Sequence, residues 1–172
     1  PRGCIASWDR GRRHLTFQAG AQAPHPLRSA LAARRSAWVA QPLDAALMQE
    51  GAMPLIGEHD FSAFRAAQCQ AAHPVRQIFG VSVNRVGDFI VLDIEANAFL
   101  YHMVRNLVGS LQMVGSGQRS REWIEELLKG KDRTLGGDTA SASGLYLQSI
   151  TYPEQFGLPV NSASNSLLLG GS

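Results

Sequence analysis

Asn97-Ala98-Phe99-Leu100-Tyr101-His102-Met103-Val104-Arg105-Asn106-Leu107-Val108-Gly109 decides how the rest of this chain is read. Phe99, Leu100, Met103, Val104, Leu107, Val108, Leu111 and Val114 recur with the spacing of one helical face, so the stretch predicts a helix from about 98 to 114. Arg105 stands off that apolar stripe. His102 lies one turn before it and Gly109 one turn after, at i−3 and i+4. A cation, an imidazole and a bare patch of backbone thus share one side of a helix whose other side is apolar. Such a guanidinium suits a carboxylate or an anionic ligand. The competing reading is an arginine that extends along the helix edge and pairs with a nearby acid.

Upstream of this helix the pattern changes to a period of two. Val75, Phe79, Val81 and Val83 alternate along one strand, and Ile90, Leu92, Ile94 and Ala96 along the next, with Gly87-Asp88 at the turn. Asp93 and Glu95 fall on the opposite, wetter face. Pro42 and Asp44 start a helix that runs to about Met48, weakened by Gly51 and Pro54. Gly57-Glu58-His59-Asp60-Phe61 reads as a turn, and 61–74 as a loop or short helix. Downstream, Gly115 and Gly117 stop the central helix. Ser120 caps a second helix over 121–129, 131–143 form a loop of polar and small residues, and 144–152 form a strand ended by Pro153. Strands and helices in this order predict an α+β fold, an antiparallel sheet with helices packed on one face.

The charge is unevenly distributed. Residues 1–41 carry seven arginines and one acid, for +6, whereas 42–172 sum to −4, so the basic balance of the whole chain does not by itself imply nucleic acid. Residues 1–37 are rich in Arg, Ala, Gly, Pro and Gln and show no persistent helix or strand period. They are expected to be a disordered or non-native tract, from a truncated or out-of-frame upstream region; a basic arm touching phosphates is the alternative. The orderly domain is expected at 38–159, with a flexible tail at 160–172. No apolar run is long enough to span a bilayer and no signal peptide is visible, which makes a cytoplasmic location the expectation.

Several catalytic classes lack support. Cys4 and Cys69 have no Cys-x-x-Cys partner, and the five histidines show no ligand-like spacing, so no metal is expected. There is no Gly-x-Ser-x-Gly, Walker A or dinucleotide fingerprint. His59-Asp60 reads as a turn with a capping aspartate rather than a metal pair, and Asp93 and Glu95 as a solvated face rather than paired catalytic carboxylates. Arg65 and Arg76 bracket a polar loop with Gln68, Gln70 and His73, which beside Arg105 and His102 would line an anionic groove.

Four stretches together resemble the C-terminal catalytic half of the bacterial tRNA pseudouridine synthase A family: 57–65, 74–76, 96–109 and 139–147, with Lys131-Asp132-Arg133-Thr134 and Tyr152-Pro153 also fitting. The resemblance runs from about residue 38 to 159. It implies the catalytic-domain fold of a pseudouridine synthase, here incomplete. It also implies a cofactor-free isomerase that flips a uridine of the tRNA anticodon stem-loop from its stack and converts it to a C-glycoside by attack of an aspartate. In this family Arg105 would pair with that aspartate, Leu145 would wall the uracil ring, His102 would contact substrate, and Arg65, Arg76 and Asn106 would contact RNA. The family's active unit is a homodimer on tRNA. The Arg-Thr-Asp-Ala-Gly-Val-His motif that carries the nucleophile does not occur in residues 1–172, and an Arg-Tyr-Arg-Tyr-like segment is missing before residue 38. The chain is therefore expected to be a truncated, inactive form; the alternatives are a non-catalytic RNA-binding remnant or a structural fragment.

Overall fold

The computed structural model describes residues 12–20 and 36–152. Among these described residues, six strands form one sheet: β1 (Arg12–Gly20), β2 (Ala37–Trp38), β3 (Gly57–Asp60), β4 (Val75–Val86), β5 (Phe89–Ala96) and β6 (Leu145–Thr151). Their order is β2-β1-β5-β4-β3, with β6 also paired to β1. Every pairing is antiparallel except the two-residue contact of β1 with β2. Among the described residues, the α-helices α1 (Ala45–Ala52), α2 (Met103–Gly115) and α3 (Trp123–Gly130) complete an α+β arrangement.

The buried face of the sheet comes from the predicted alternation. Ile90, Leu92, Ile94 and Ala96 of β5 are all buried, and they join Leu100, Met103, Val104, Leu107, Val108, Leu111 and Val114 in the core. Burying one such aliphatic side chain contributes about 1.5–3 kcal/mol, and the same core takes in Phe17 of β1, Met48 of α1 and Ile124 of α3, so it holds the sheet and all three helices together. The hairpin turns at Gly87-Asp88, where Gly87 has φ +58°.

β1 corrects the expectation for the first 37 residues. Arg12–Gly20 is an interior strand, paired with β5 on one side and with β6 on the other. Its own sequence alternates: Phe17 and Ala19 are buried, while Thr16 reaches Asp93 on the opposite face. The surrounding Arg, Ala, Gly and Pro residues dilute that short period-two signal, which is why composition hides it. Because β1 belongs to the sheet, the folded unit does not begin at residue 38. The rest of the tract up to residue 35, and the expected tail at 160–172, lie outside the described residues.

Four smaller expectations also change. Gly57–Asp60 is an edge strand rather than a turn, because it pairs in register with Val75–Ile78. Val75 is exposed and Ile78 takes its place in the core, since the register of β4 against β5 shifts between Ile78 and Gly80 and moves the buried set to Val83 beyond the bulge. α2 starts at Met103 rather than 98: His102 sits in the left-handed region (φ 59°), and Asn97 instead continues the sheet by exchanging hydrogen bonds with Gln77. α3 starts at Trp123, with Glu122 in the capping position and the Ser120 carbonyl accepting from the Trp123 N–H. Asp44, by contrast, is a side-chain cap for α1, accepting from the N–H groups of Ala46 and Leu47.

Candidate active site

The late start of α2 places Arg105 in its first turn. There the backbone and side chain of one residue grip the same partner. Arg105 Nε donates to the Ala140 carbonyl at 2.6 Å, and the Ala140 N–H donates to the Arg105 carbonyl at 3.1 Å. Nη1 lies 3.2 Å from His102 Nε2. Burial, and then the charge of Arg105, push the His102 pKa down, so the imidazole is neutral and accepts from the guanidinium. The His102 ring stacks on Tyr101 with centroids 4.0 Å apart. Arg105 is half-buried, and among the described residues no carboxylate lies within ion-pair distance of it. Two of its five N–H donors are thus committed to fixed acceptors, while the remaining three have no acidic partner from the described chain.

Gly109 explains how the 137–140 loop comes so close. A Cβ there would lie 1.7 Å from the Asp138 carbonyl oxygen, so only a bare helix surface admits the loop. The i+4 glycine therefore serves the loop and not a ligand. Further along the same loop, Gly144 (φ +84°) passes so near β1 that an added Cβ would meet the Gln18 carbonyl at 2.3 Å. Its own carbonyl accepts from Gln18 N–H at 2.9 Å. This turn delivers Leu145 to the head of β6, half-buried and opposite Phe17 of β1.

The three residues expected to touch RNA are engaged internally. Asn106 is 1% exposed; its Nδ2 donates to the Phe64 carbonyl at 2.7 Å, and its Oδ1 accepts from Thr139 Oγ1 at 2.7 Å and Arg133 Nη2 at 3.1 Å. Arg65 Nη2 donates to the carbonyls of Cys69 and Ala71, at 2.7 and 2.9 Å. Arg76 is buried, with Nη1 donating to the Val75 and His73 carbonyls. The two arginines hold the 66–74 loop in shape from within. Arg133 and Thr139, absent from the sequence-based site, prove to be structural neighbours of Arg105 through Asn106. The only sequence signal for Arg133 was the Lys131–Thr134 stretch, which carried no assigned role.

The acids are accounted for elsewhere. Asp93 accepts from Thr16 Oγ1 and lies 3.3 Å from His14 Nε2, and Glu95 lies 3.6 Å from Arg12, so both serve strand pairing on the outer face. Asp60 caps Ser62 N–H at 2.9 Å and meets Lys131 at 3.1 Å. Burial pulls its pKa up, but the Ser62 hydrogen bonds and Lys131 outweigh it and hold the carboxyl below the usual range. Among the described residues no group of His, Cys, Asp and Glu could hold a metal ion, and no helix is long and apolar enough to cross a membrane.

Arg105 thus stands in the first turn of α2 with its guanidinium held by Ala140 and His102 and no described acid beside it. Among known proteins, the family model described as tRNA pseudouridine synthase matches residues 52–153, and this chain belongs to that family. It is 52% identical over 134 residues to the tRNA pseudouridine synthase A of Tolumonas auensis, covering 78% of this chain and 51% of that protein. The same protein of Thiobacillus denitrificans is 46% identical over 158 residues, covering 92% of this chain and 58% of its own length. That of Enterobacter sp. is 56% identical over 119 residues, covering 69% and 44%. The chain spans about half the length of the curated relatives it matches.

Proposed function

We propose that this chain carries the C-terminal half of the catalytic machinery of a tRNA pseudouridine synthase A, a cytoplasmic, cofactor-free isomerase acting on uridine in the anticodon stem-loop as a homodimer. In this reading the chemistry breaks the N–C glycosidic bond of a flipped uridine and forms a C–C bond to the same uracil after rotation. Arg105 keeps the nucleophilic aspartate ionised and oriented and helps hold the displaced nucleotide, because a guanidinium stays charged at any working pH. Ala140 and neutral His102 fix its plane in advance, so little reorganisation is needed when the acid and substrate arrive. Leu145 offers an apolar wall to the uracil face.

The single observation that carries this reading is a half-buried, hydrogen-bonded Arg105 that has no acidic partner among the described residues. In this reading the chain alone does not isomerise uridine, since the family's Arg-Thr-Asp-Ala-Gly-Val-His motif does not occur in residues 1–172. The alternative of an RNA-binding remnant is weakened because Arg65 and Arg76, its two named contacts, spend donors on backbone carbonyls.

Binding of a labelled anticodon stem-loop RNA, measured by anisotropy across a salt series, tests the role of Arg105. Arg105→Ala is expected to weaken binding about tenfold and to reduce the salt slope by about one. Equal affinity and slope for the variant and the wild type would remove Arg105 from the RNA interface.

A further inference from the structure

Arg105 owes its position to the Ala140 carbonyl, and the position of Ala140 has its own cause. The residue before it, Thr139, is clamped. Its hydroxyl donates to Asn106 Oδ1 at 2.7 Å and accepts from Arg133 Nη2 at 3.3 Å, while the same Nη2 donates to Asn106 Oδ1 at 3.1 Å. Asn106 is the helical neighbour of Arg105 and is itself fixed by the Phe64 carbonyl. Two residues before Thr139, the Gly137 N–H donates to Ser110 Oγ at 3.1 Å, and Ser110 Oγ donates to the Asn106 carbonyl at 3.0 Å. The loop is therefore tied to α2 at 137, 139 and 140, and one side chain from outside both segments, Arg133, closes the triangle of Arg133, Asn106 and Thr139.

We propose that Arg133 is a positioning residue for Arg105, acting through Thr139 and Asn106. The guanidinium of Arg133 bonds Asn106 and Thr139 and not Arg105 itself. It fixes Thr139, hence the direction of the Ala140 carbonyl, hence the plane of the Arg105 guanidinium. The geometry favours this over a purely local cap. Asn106 Oδ1 has two lone pairs, and both are filled from this triangle, so losing Arg133 leaves a buried acceptor half-satisfied next to the site. The inference rests on the reading of Arg105 as a functional group, but its test does not depend on RNA.

The Nε–Hε signal of Arg105 in the full chain reports the Ala140 bond directly, and Arg105→Lys identifies it by its disappearance. Arg133→Gln and Thr139→Val are expected to shift this signal and to speed its exchange with water about tenfold, as loss of an ordered hydrogen bond implies. Thr139→Ser, which keeps the hydroxyl, is expected to restore both. The Arg121 Nε–Hε signal, bonded to Glu122 on an exposed surface, serves as the internal control and stays unchanged. If Arg133→Gln does not fold, the exposed Thr139 pair of Val and Ser gives the answer alone. An Arg105 signal unmoved in folded Thr139→Val, or moved equally with that of Arg121, would overturn the proposal. A moved Arg105 signal combined with unchanged RNA binding in Arg105→Ala would leave the positioning intact and refute the functional reading.

Discussion

Replacing Gly109 with alanine puts a methyl group where the backbone of the 137–140 loop already lies. The added carbon would sit 1.7 Å from the Asp138 oxygen, 3.0 Å from its carbonyl carbon and 3.4 Å from Ala140 N. A close C···O contact needs about 3.3 Å, so the loop must retreat by roughly 1.5 Å. The bonds from Gly137 N to Ser110 Oγ and from Ala140 N to the Arg105 carbonyl are both 3.1 Å long, and the one from Thr139 Oγ1 to Asn106 is 2.7 Å; none survives that displacement. Three bonds at about 1 kcal/mol each are offset by about 1 kcal/mol of improved helix propensity, for a net loss of about 2 kcal/mol. Urea unfolding gives the value as a lower midpoint at unchanged slope. Gly130, at the end of α3 with nothing within 4 Å of its added Cβ, is the control. Gly130→Ala is expected to be neutral or stabilising by up to about 1 kcal/mol. If Gly109→Ala were as stable as Gly130→Ala, the account of how the loop seats on α2 would be wrong.

Three further outcomes are expected. Asn106→Leu keeps the volume but strips the buried amide from the Phe64 carbonyl, Thr139 and Arg133, and should cost about 3 kcal/mol in the same unfolding assay. His102 resists protonation in the folded state, so the unfolded chain binds more protons between its ordinary pKa of about 6.5 and the lower folded one; its contribution is complete above that window and is lost as pH falls through it, and His102→Gln should flatten the stability profile there, with the wild-type imidazole titrating below 6.5 by NMR. Asp60 shows the carboxylate case: its contribution is complete above the ordinary value of about 3.9 and declines as pH falls from there through the depressed folded pKa, so Asp60→Asn should remove that part of the acid sensitivity seen by circular dichroism.

The parts of the fold that sequence reveals are those where one face is apolar and the period is sustained. The hairpin of 75–96 and the stripe from Leu100 to Val114 are of that kind, and both carry the core. β1 escapes notice because its alternation spans only a few residues and its opposite-face positions include Arg12, His14 and Thr16, whose ion pairs and hydrogen bond with Glu95 and Asp93 exist only once distant strands meet. The start of α2 escapes for a different reason: the apolar stripe runs on through Phe99 and Leu100, while the boundary is set by a histidine in left-handed geometry, which non-glycine residues adopt uncommonly. Arg105 stands out in sequence as a cation beside an apolar stripe. Its anchor does not, because that anchor is a backbone carbonyl 35 residues away. The same holds for Asn106, whose acceptor is the Phe64 carbonyl 42 residues away, whereas Arg65 and Arg76 bond backbone carbonyls within six residues of themselves.

At the centre stands the claim that Arg105 is prepared for a nucleophilic acid that the sequence of this chain does not carry in recognisable form. Incubating the chain with anticodon stem-loop RNA and mapping pseudouridine by its chemical adduct tests it most directly. The expected result is no pseudouridine above the protein-free control. Its formation by the wild type, abolished in Arg105→Ala, would show that a nucleophile resides within these 172 residues and would contradict the account.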